Sequence, residues 1–141
     1  VAQTEADALA EGEAGSIITL SSIAARRTRP EMLAASIAAS GVEQVTRSLA
    51  LALAPKRIRV NALALGSVMT ETLQGAIRET PDYRDEVISH TPTGRIAGAR
   101  EVVEAVQFLA SEAASFMTGE VLTLDGGRSL LDTVPFVTGR A

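Results

Sequence analysis

The 141-residue chain contains no cysteine and no tryptophan, and it has one histidine, one tyrosine and one lysine. Without cysteine there can be no disulfide framework, no thiolate nucleophile and no cysteine-based metal site. The single histidine, His90, cannot form a histidine-rich metal site. We therefore predict no metal site, and we expect His90 to be a surface or loop-anchoring residue.

Long apolar runs and an excess of positive charge are also absent. No apolar run approaches the ~18 residues that a membrane-spanning helix needs, and no signal-peptide pattern precedes the domain. The formal net charge of -4 gives no general attraction for nucleic-acid phosphates or anionic lipids. We expect a cytoplasmic protein with no nucleic-acid partner and no membrane partner. The arginines of the segment ARRTR are predicted to lie in a solvated loop; they are Arg26, Arg27 and Arg29.

Apolar periodicity predicts an α/β chain. Short β-branched or alternating runs at 16–22, 57–65 and 119–127 predict strands. Helix formers with a helical spacing predict a long helix over 31–54, a helix over 100–112, short helices over 70–79 and 82–89, and the tail of a helix over 2–11.

Strands separated by helices require crossover connections, which predicts a parallel sheet with helices on both faces. A three-stranded sheet of this kind needs cover along one edge. The chain opens at Val1 and its first methionine is Met32. We expect the cover to be a missing N-terminal portion or a partner.

Three segments of the chain resemble the C-terminal half of the short-chain dehydrogenases/reductases. They are GSIITLSS, VEQVTRSLALALAPKRIRVNALALGSVMT and GRIAGAREVVEAVQFLASEAASFMTGEVLTLDGG, which follow each other in the family's order between Gly15 and Gly127. The resemblance implies a Rossmann-type fold whose N-terminal half normally binds a nicotinamide dinucleotide. We assign residues 1–128 to the C-terminal portion of such a domain and residues 129–141 to a tail expected to form an interface.

Catalysis in the resembled family uses a serine after a strand, then a tyrosine and a lysine spaced Tyr-x-x-x-Lys on the next helix. That spacing puts both side chains on one helix face, where the lysine lowers the tyrosine pKa for proton exchange with the substrate. The resemblance places Ser22 at the serine position, Ala35 at the tyrosine position and Ala39 at the lysine position. We therefore expect no intact catalytic set.

No other register restores the pair. The only tyrosine, Tyr83, is followed four residues later by Val87, and the only lysine, Lys56, stands beyond Pro55. A branch of the family that uses arginine in place of the lysine still requires the tyrosine. The sequence therefore holds no Tyr-x-x-x-Lys at any position.

The cofactor-binding pattern is also incomplete. The family has Pro-Gly after the strand that ends at Leu65, followed by residues that approach the nicotinamide; here Gly66, Val68 and Thr70 are weak candidates for that contact, and they equally suit a strand-to-helix turn. No glycine-rich turn opens a helix to cradle a pyrophosphate. We expect no cofactor bound by this chain, and NAD or NADP in an active partner.

The favoured hypothesis is a non-catalytic subunit that assembles with and stabilises an active dehydrogenase/reductase homologue in a hetero-oligomer. The alanines at 34, 35, 38 and 39 are expected to give a flat helix surface for another helix. An alternative is an NAD(P)-dependent oxidoreductase whose site is unorthodox or completed by a partner, using Ser22. A third is a module that binds a small ligand in the cleft, although the sequence offers few convergent polar groups there.

Overall fold

The computed structural model describes residues 15–27 and 29–131. The predicted helix over 2–11 and all but the first three residues of the predicted tail lie outside the described residues. The elements, in chain order, are β1 (Gly15–Ser22), α1 (Leu33–Leu53), β2 (Ile58–Leu65), α2 (Glu71–Glu79), α3 (Tyr83–Ser89), α4 (Ala99–Ala110) and β3 (Val121–Leu124). Within the described ranges, no helix is both long and apolar enough to cross a membrane.

The three strands form one parallel sheet in the order β1-β2-β3, which confirms the predicted topology. Ser22 is paired in register with Leu65, and Leu65 with Leu124. The carboxyl ends of all three strands therefore meet along one edge of the sheet. In open parallel sheets this edge is where ligands bind.

β2 is the centre of the core. Its residues Val60, Asn61, Ala62, Leu63 and Ala64 are each at most 1% exposed. Because successive side chains of a strand point to opposite faces, a strand buried this fully must be covered on both sides.

α1 covers one face of the sheet and α4 covers the other. On the α1 side, the hydroxyls of Thr19 and Thr46 lie 2.7 Å apart in a hydrogen bond between β1 and the helix. On the α4 side, Arg59 Nη1 donates to the carbonyl of Leu109 at 2.8 Å, and Ser16 Oγ donates to the same carbonyl. The prediction of helices on both faces is confirmed.

The predicted alanine surface of the long helix is wrong in one position. Ala39 lies on the buried side of α1, where its carbonyl accepts a hydrogen bond from Ser21 Oγ at 3.2 Å, whereas Ala34, Ala35 and Ala38 are exposed. The α1 residues that pack inward repeat with the helical period; they are Ser36, Ala39, Glu43, Thr46, Ala50 and Leu53. Only three of the four alanines are therefore available to a neighbouring helix.

Asn61 ties β2 to the turn that precedes β3. Its Nδ2 donates to the carbonyl of Met117 at 2.9 Å, and its Oδ1 accepts the backbone N–H of Glu120 at 3.1 Å. The side chain is fully buried. The Asn61 amide thus pairs with two backbone groups that lie outside the helices and strands, and it fixes where β3 begins.

We predict that Asn61→Leu lowers the free energy of unfolding by about 2 kcal/mol, because two backbone groups lose their partners while the branched shape of the side chain is kept. Gln74→Leu, on the exposed side of α2, is the matched amide-to-leucine control and is expected to change stability by less than about 0.5 kcal/mol. Urea unfolding followed by circular dichroism measures both. Equal midpoints for the two variants would contradict this role of Asn61.

Candidate functional site

A cavity of about 390 Å³ opens at the carboxyl edge of the sheet. Its lining comes from the ends of β1 and β2, the loop that leads to α1, the segment of α3, and the turn after β3. The lining residues are Ser22, Ile23, Ala24, Arg27, Arg29, Met32, Gly66, Ser67, Tyr83, His90, Arg128 and Leu131. This cavity is the candidate functional site.

Ser22, the predicted serine of the catalytic set, lies at the cavity. Its Oγ accepts the backbone N–H of Ala24 at 3.1 Å and caps a 3₁₀ turn over Ile23–Ala25. This is the backbone hydrogen bond expected of a serine at a strand end. The hydroxyl proton has no acceptor among the described residues, so the group can still donate into the cavity.

The two alanines predicted at the tyrosine and lysine positions do not line the cavity. Ala35 is exposed on the first turn of α1, and Ala39 is buried against β1. Neither methyl group can donate a proton or carry a charge. Ser22 is thus the only member of the predicted catalytic set at the cavity.

The three weak cofactor candidates each have a structural role. A Cβ on Gly66 would lie 2.6 Å from the Cβ of Asp125. The lack of a side chain at Gly66 therefore lets the ends of β2 and β3 lie this close together. Val68 forms an isolated parallel bridge with Ala97. Thr70 caps α2, its Oγ1 accepting the N–H of Leu73 at 3.2 Å. These contacts account for the three residues without a nicotinamide.

The described residues do not fit the pyrophosphate of a dinucleotide. Among their three strand ends, only that of β2 leads directly through a short turn into an α-helix, and the turn holds one glycine, Gly66. A pyrophosphate cradle needs several glycines at such a turn so that the backbone approaches the phosphates. No group of three or more metal-ligating side chains occurs in residues 15–27 and 29–131 either.

The segment ARRTR is not simply a solvated loop, and the prediction is wrong for Arg27. The guanidinium of Arg27 is half-buried and donates to the carbonyls of Ser129, at 2.7 and 3.0 Å, and Leu131. These bonds tie the loop after β1 to the first residues of the predicted tail. Arg26 is half exposed and pairs with the buried carboxylate of Glu43 at 3.5 Å.

Sequence reasoning missed three polar residues of the cavity. Tyr83 and Ser67 line it, and Arg128 reaches in from the turn after β3, where its Nη1 donates to Ser67 Oγ. His90 also lines the cavity, while its Nδ1 lies 2.9 Å from the carbonyl of Glu86. The expectation of few convergent polar groups in the cleft is therefore wrong.

Asp125 organises the turn after β3. Its carboxylate accepts the N–H of Gly127 at 2.8 Å and that of Ser129 at 2.7 Å. Burial raises the pKa of Asp125, but the hydrogen bonds from Ser129 and Gly127 and the charge of Arg128 outweigh it and hold the pKa below its usual value. Gly126 and Gly127 adopt φ of 63° and 85°, the left-handed region that glycine favours in a tight turn.

A family model described as enoyl-(acyl carrier protein) reductase matches residues 1–129. Together with the parallel sheet and the relatives below, this match shows that the chain belongs to the short-chain dehydrogenase/reductase family.

Two relatives illustrate the similarity. Galactitol 2-dehydrogenase (L-tagatose-forming) of Cereibacter sphaeroides is 43% identical over 117 residues, which are 81% of this chain and 45% of that protein. The 7alpha-hydroxysteroid dehydrogenase of Escherichia coli K12 is 32% identical over 127 residues, which are 90% of this chain and 49% of that protein. The chain thus spans about half the length of these relatives.

Solved structures give the same picture. A 7 alpha-hydroxysteroid dehydrogenase complexed with NADH and 7-oxo glycochenodeoxycholic acid superposes with a TM-score of 0.84 at 32% identity, covering 89% of this chain and 49% of that one. An NADPH-bound short chain oxidoreductase from Pseudomonas aeruginosa PAO1, described as containing an atypical catalytic center, superposes with a TM-score of 0.78 at 29% identity, covering 84% and 48%.

We predict that Gly66→Ala lowers the free energy of unfolding by about 1 to 3 kcal/mol, because its new Cβ meets the Cα and Cβ of Asp125 and forces β2 and β3 apart. Gly75→Ala, within α2, is the control. Nothing lies within 4 Å of its added Cβ, and the change is expected to stabilise the helix by about 0.5 to 1 kcal/mol. Thermal unfolding of both variants measures the difference, and destabilisation by Gly75→Ala alone would contradict the account.

Proposed function

We propose that this chain is a non-catalytic short-chain dehydrogenase/reductase subunit, which assembles with and stabilises an active homologue. The carrying observation is that Ser22 stands at the candidate site without the tyrosine and lysine of the family, because the resemblance puts Ala35 and Ala39 at those positions. NAD or NADP is then held by the active partner.

The lysine cannot be supplied from elsewhere in the sequence. Lys56 lies just before β2, whose first residue is paired with Gly15 at the start of β1. Ser22 lies at the other end of β1. Seven residues of strand separate the two levels, which at about 3.3 Å per residue is roughly 23 Å. Lys56 therefore lies near the opposite edge of the sheet from the candidate site.

The outward face of α1 supports an assembly role. Four large apolar residues on this face are more than half exposed; they are Leu33, Ile37, Val45 and Leu51. They fall within about a third of the helix circumference, opposite the inward-packing residues. Gly41, Ala34 and Ala38 share the outward side, where their small side chains permit close approach of another helix.

Apolar side chains are also exposed on α4 and in the loop that follows it. Val103 and Phe108 are exposed on α4, and Phe116 in the following loop is fully exposed. β3 ends the sheet, so one of its edges is unpaired within the described residues. An unpaired strand edge and exposed aromatic side chains are both features that a partner covers.

The alternative function is an unorthodox oxidoreductase. It is favoured by one observation, that Tyr83 and Ser22 line the same cavity although 61 residues separate them. A phenol that shares a cavity with a serine hydroxyl can act as a proton donor to a bound substrate. Titration of NADH and NADPH fluorescence distinguishes the proposals, because a unit that works on its own must bind the dinucleotide.

Restoring the family residues tests the catalytic part of the proposal. Ala35→Tyr combined with Ala39→Lys is expected to give no NAD(P)-dependent turnover when the chain is assayed without a partner, because no described turn fits the pyrophosphate. Circular dichroism must show that the double variant is folded, since Ala39 is buried. Ala35→Tyr alone, at an exposed position, is the variant that keeps the fold. Dinucleotide-dependent turnover by either variant would contradict the proposal.

Placing a charge on the outward face of α1 tests the assembly part. Ile37→Asp is expected to reduce the fraction of assembled protein at least tenfold, because a carboxylate buried in an apolar interface is strongly disfavoured. Gln74→Asp, exposed on α2, introduces the same group outside both apolar surfaces and should leave assembly unchanged. Size-exclusion chromatography with light scattering reports the masses. An intact complex with Ile37→Asp would show that α1 is not the interface.

A further inference from the structure

The cavity at the carboxyl edge concentrates positive charge in a chain whose net charge is negative. Three of its twelve lining residues are arginines, Arg27, Arg29 and Arg128, and none is an aspartate or a glutamate. The whole chain, in contrast, carries a formal charge of -4. The positive charge at the cavity is thus a local feature and does not follow from composition.

The hydrogen bonds of two arginines hold their positions without neutralising them. Arg27 donates to the backbone carbonyls of Ser129 and Leu131, and Arg128 donates to the hydroxyl of Ser67. All of these acceptors are uncharged. The bonds therefore orient the two guanidinium groups at the cavity and leave their positive charge available to a ligand.

Arg29 and the carboxylate of Asp125 determine how much positive charge remains at the cavity. Arg29 is exposed, and its guanidinium makes no hydrogen bond or ion pair with another described residue. Asp125 interacts electrostatically with Arg128, but hydrogen bonds from Gly127 and Ser129 occupy its oxygens. If Asp125 offsets one of the three positive charges, two remain for a ligand.

The other lining groups define the shape of that ligand. Ser22, Ser67, Tyr83 and His90 offer neutral hydrogen-bonding groups around the arginines. The side chains of Ile23, Ala24, Met32 and Leu131 supply apolar wall. The volume of about 390 Å³ suits a small organic molecule rather than a macromolecular segment.

We propose that this cavity binds a small organic dianion of the dicarboxylate class, held by Arg27, Arg29 and Arg128 and oriented by Ser22 and Tyr83. The binding site requires no dinucleotide and no catalysis, so it stands independently of the subunit role. A subunit without chemistry can still carry such a ligand site.

Isothermal titration calorimetry with succinate tests the charge requirement, using the protein as its cells make it, together with any chains that co-purify. Succinamide, which has the same carbon skeleton without the charges, is the matched ligand. Succinate is expected to bind at least tenfold more tightly, and its affinity should fall as salt is added. Equal binding of the two compounds, absence of binding, or tighter binding of inorganic phosphate would overturn the proposal.

Arg29→Gln tests whether succinate occupies this cavity, because the Arg29 side chain makes no hydrogen bond or ion pair with the described residues whose loss would destabilise the fold. It is expected to weaken succinate binding roughly tenfold, as does the loss of a charge-assisted contact of about 1.4 kcal/mol. Arg78→Gln, exposed on α2 and outside the cavity, is the control with the same charge change and should leave affinity within twofold. If both variants bind alike, succinate does not occupy this cavity.

Discussion

The structure depends on the burial of β2 residues 60–64 between α1 and α4. A strand with no exposed face fixes its neighbours on both sides, because any shift would uncover apolar side chains or break the hydrogen bonds of Asn61 and Arg59. The small side chains of Ala62 and Ala64 leave room for a helix to pack closely against the sheet. This packing brings the ends of β1, β2 and β3 together, and the candidate site lies where they meet.

Much of the fold could be predicted because the relevant signals are local. Alternating apolar residues marked β2, helical spacing marked α4, and Thr70 and Pro55 marked places where helices start and stop. The alternation of strands and helices then predicted the parallel sheet. The orientation of Ala39 was not local information, because it depends on how α1 rotates against β1.

The site was harder to predict because its residues are far apart in the sequence. Arg27 meets the carbonyl of Ser129 across 102 positions, and Arg128 meets Ser67 across 61. No pattern in either segment signals its partner. Arginines in a short polar run are usually solvated, so the prediction for ARRTR followed the common case and failed where the fold closes the loop over the cavity.

The candidate site and the exposed apolar surfaces differ in what they keep of the family's features. The resemblance puts alanines at the positions that carry chemistry in the family, while the outward side of α1 and the region around Phe116 expose apolar side chains that a free surface rarely maintains. Charge remains at the cavity, which distinguishes it from an active site that has merely been filled. These features together favour a subunit whose role is association.

The most direct measurement is native mass spectrometry of the untagged protein purified from its own cells, with every co-purifying chain identified. The account predicts a complex of fixed stoichiometry with a homologue that retains Tyr-x-x-x-Lys. A homo-oligomer that carries bound dinucleotide would contradict it, and would direct the search for a proton donor to Tyr83 and Ser22.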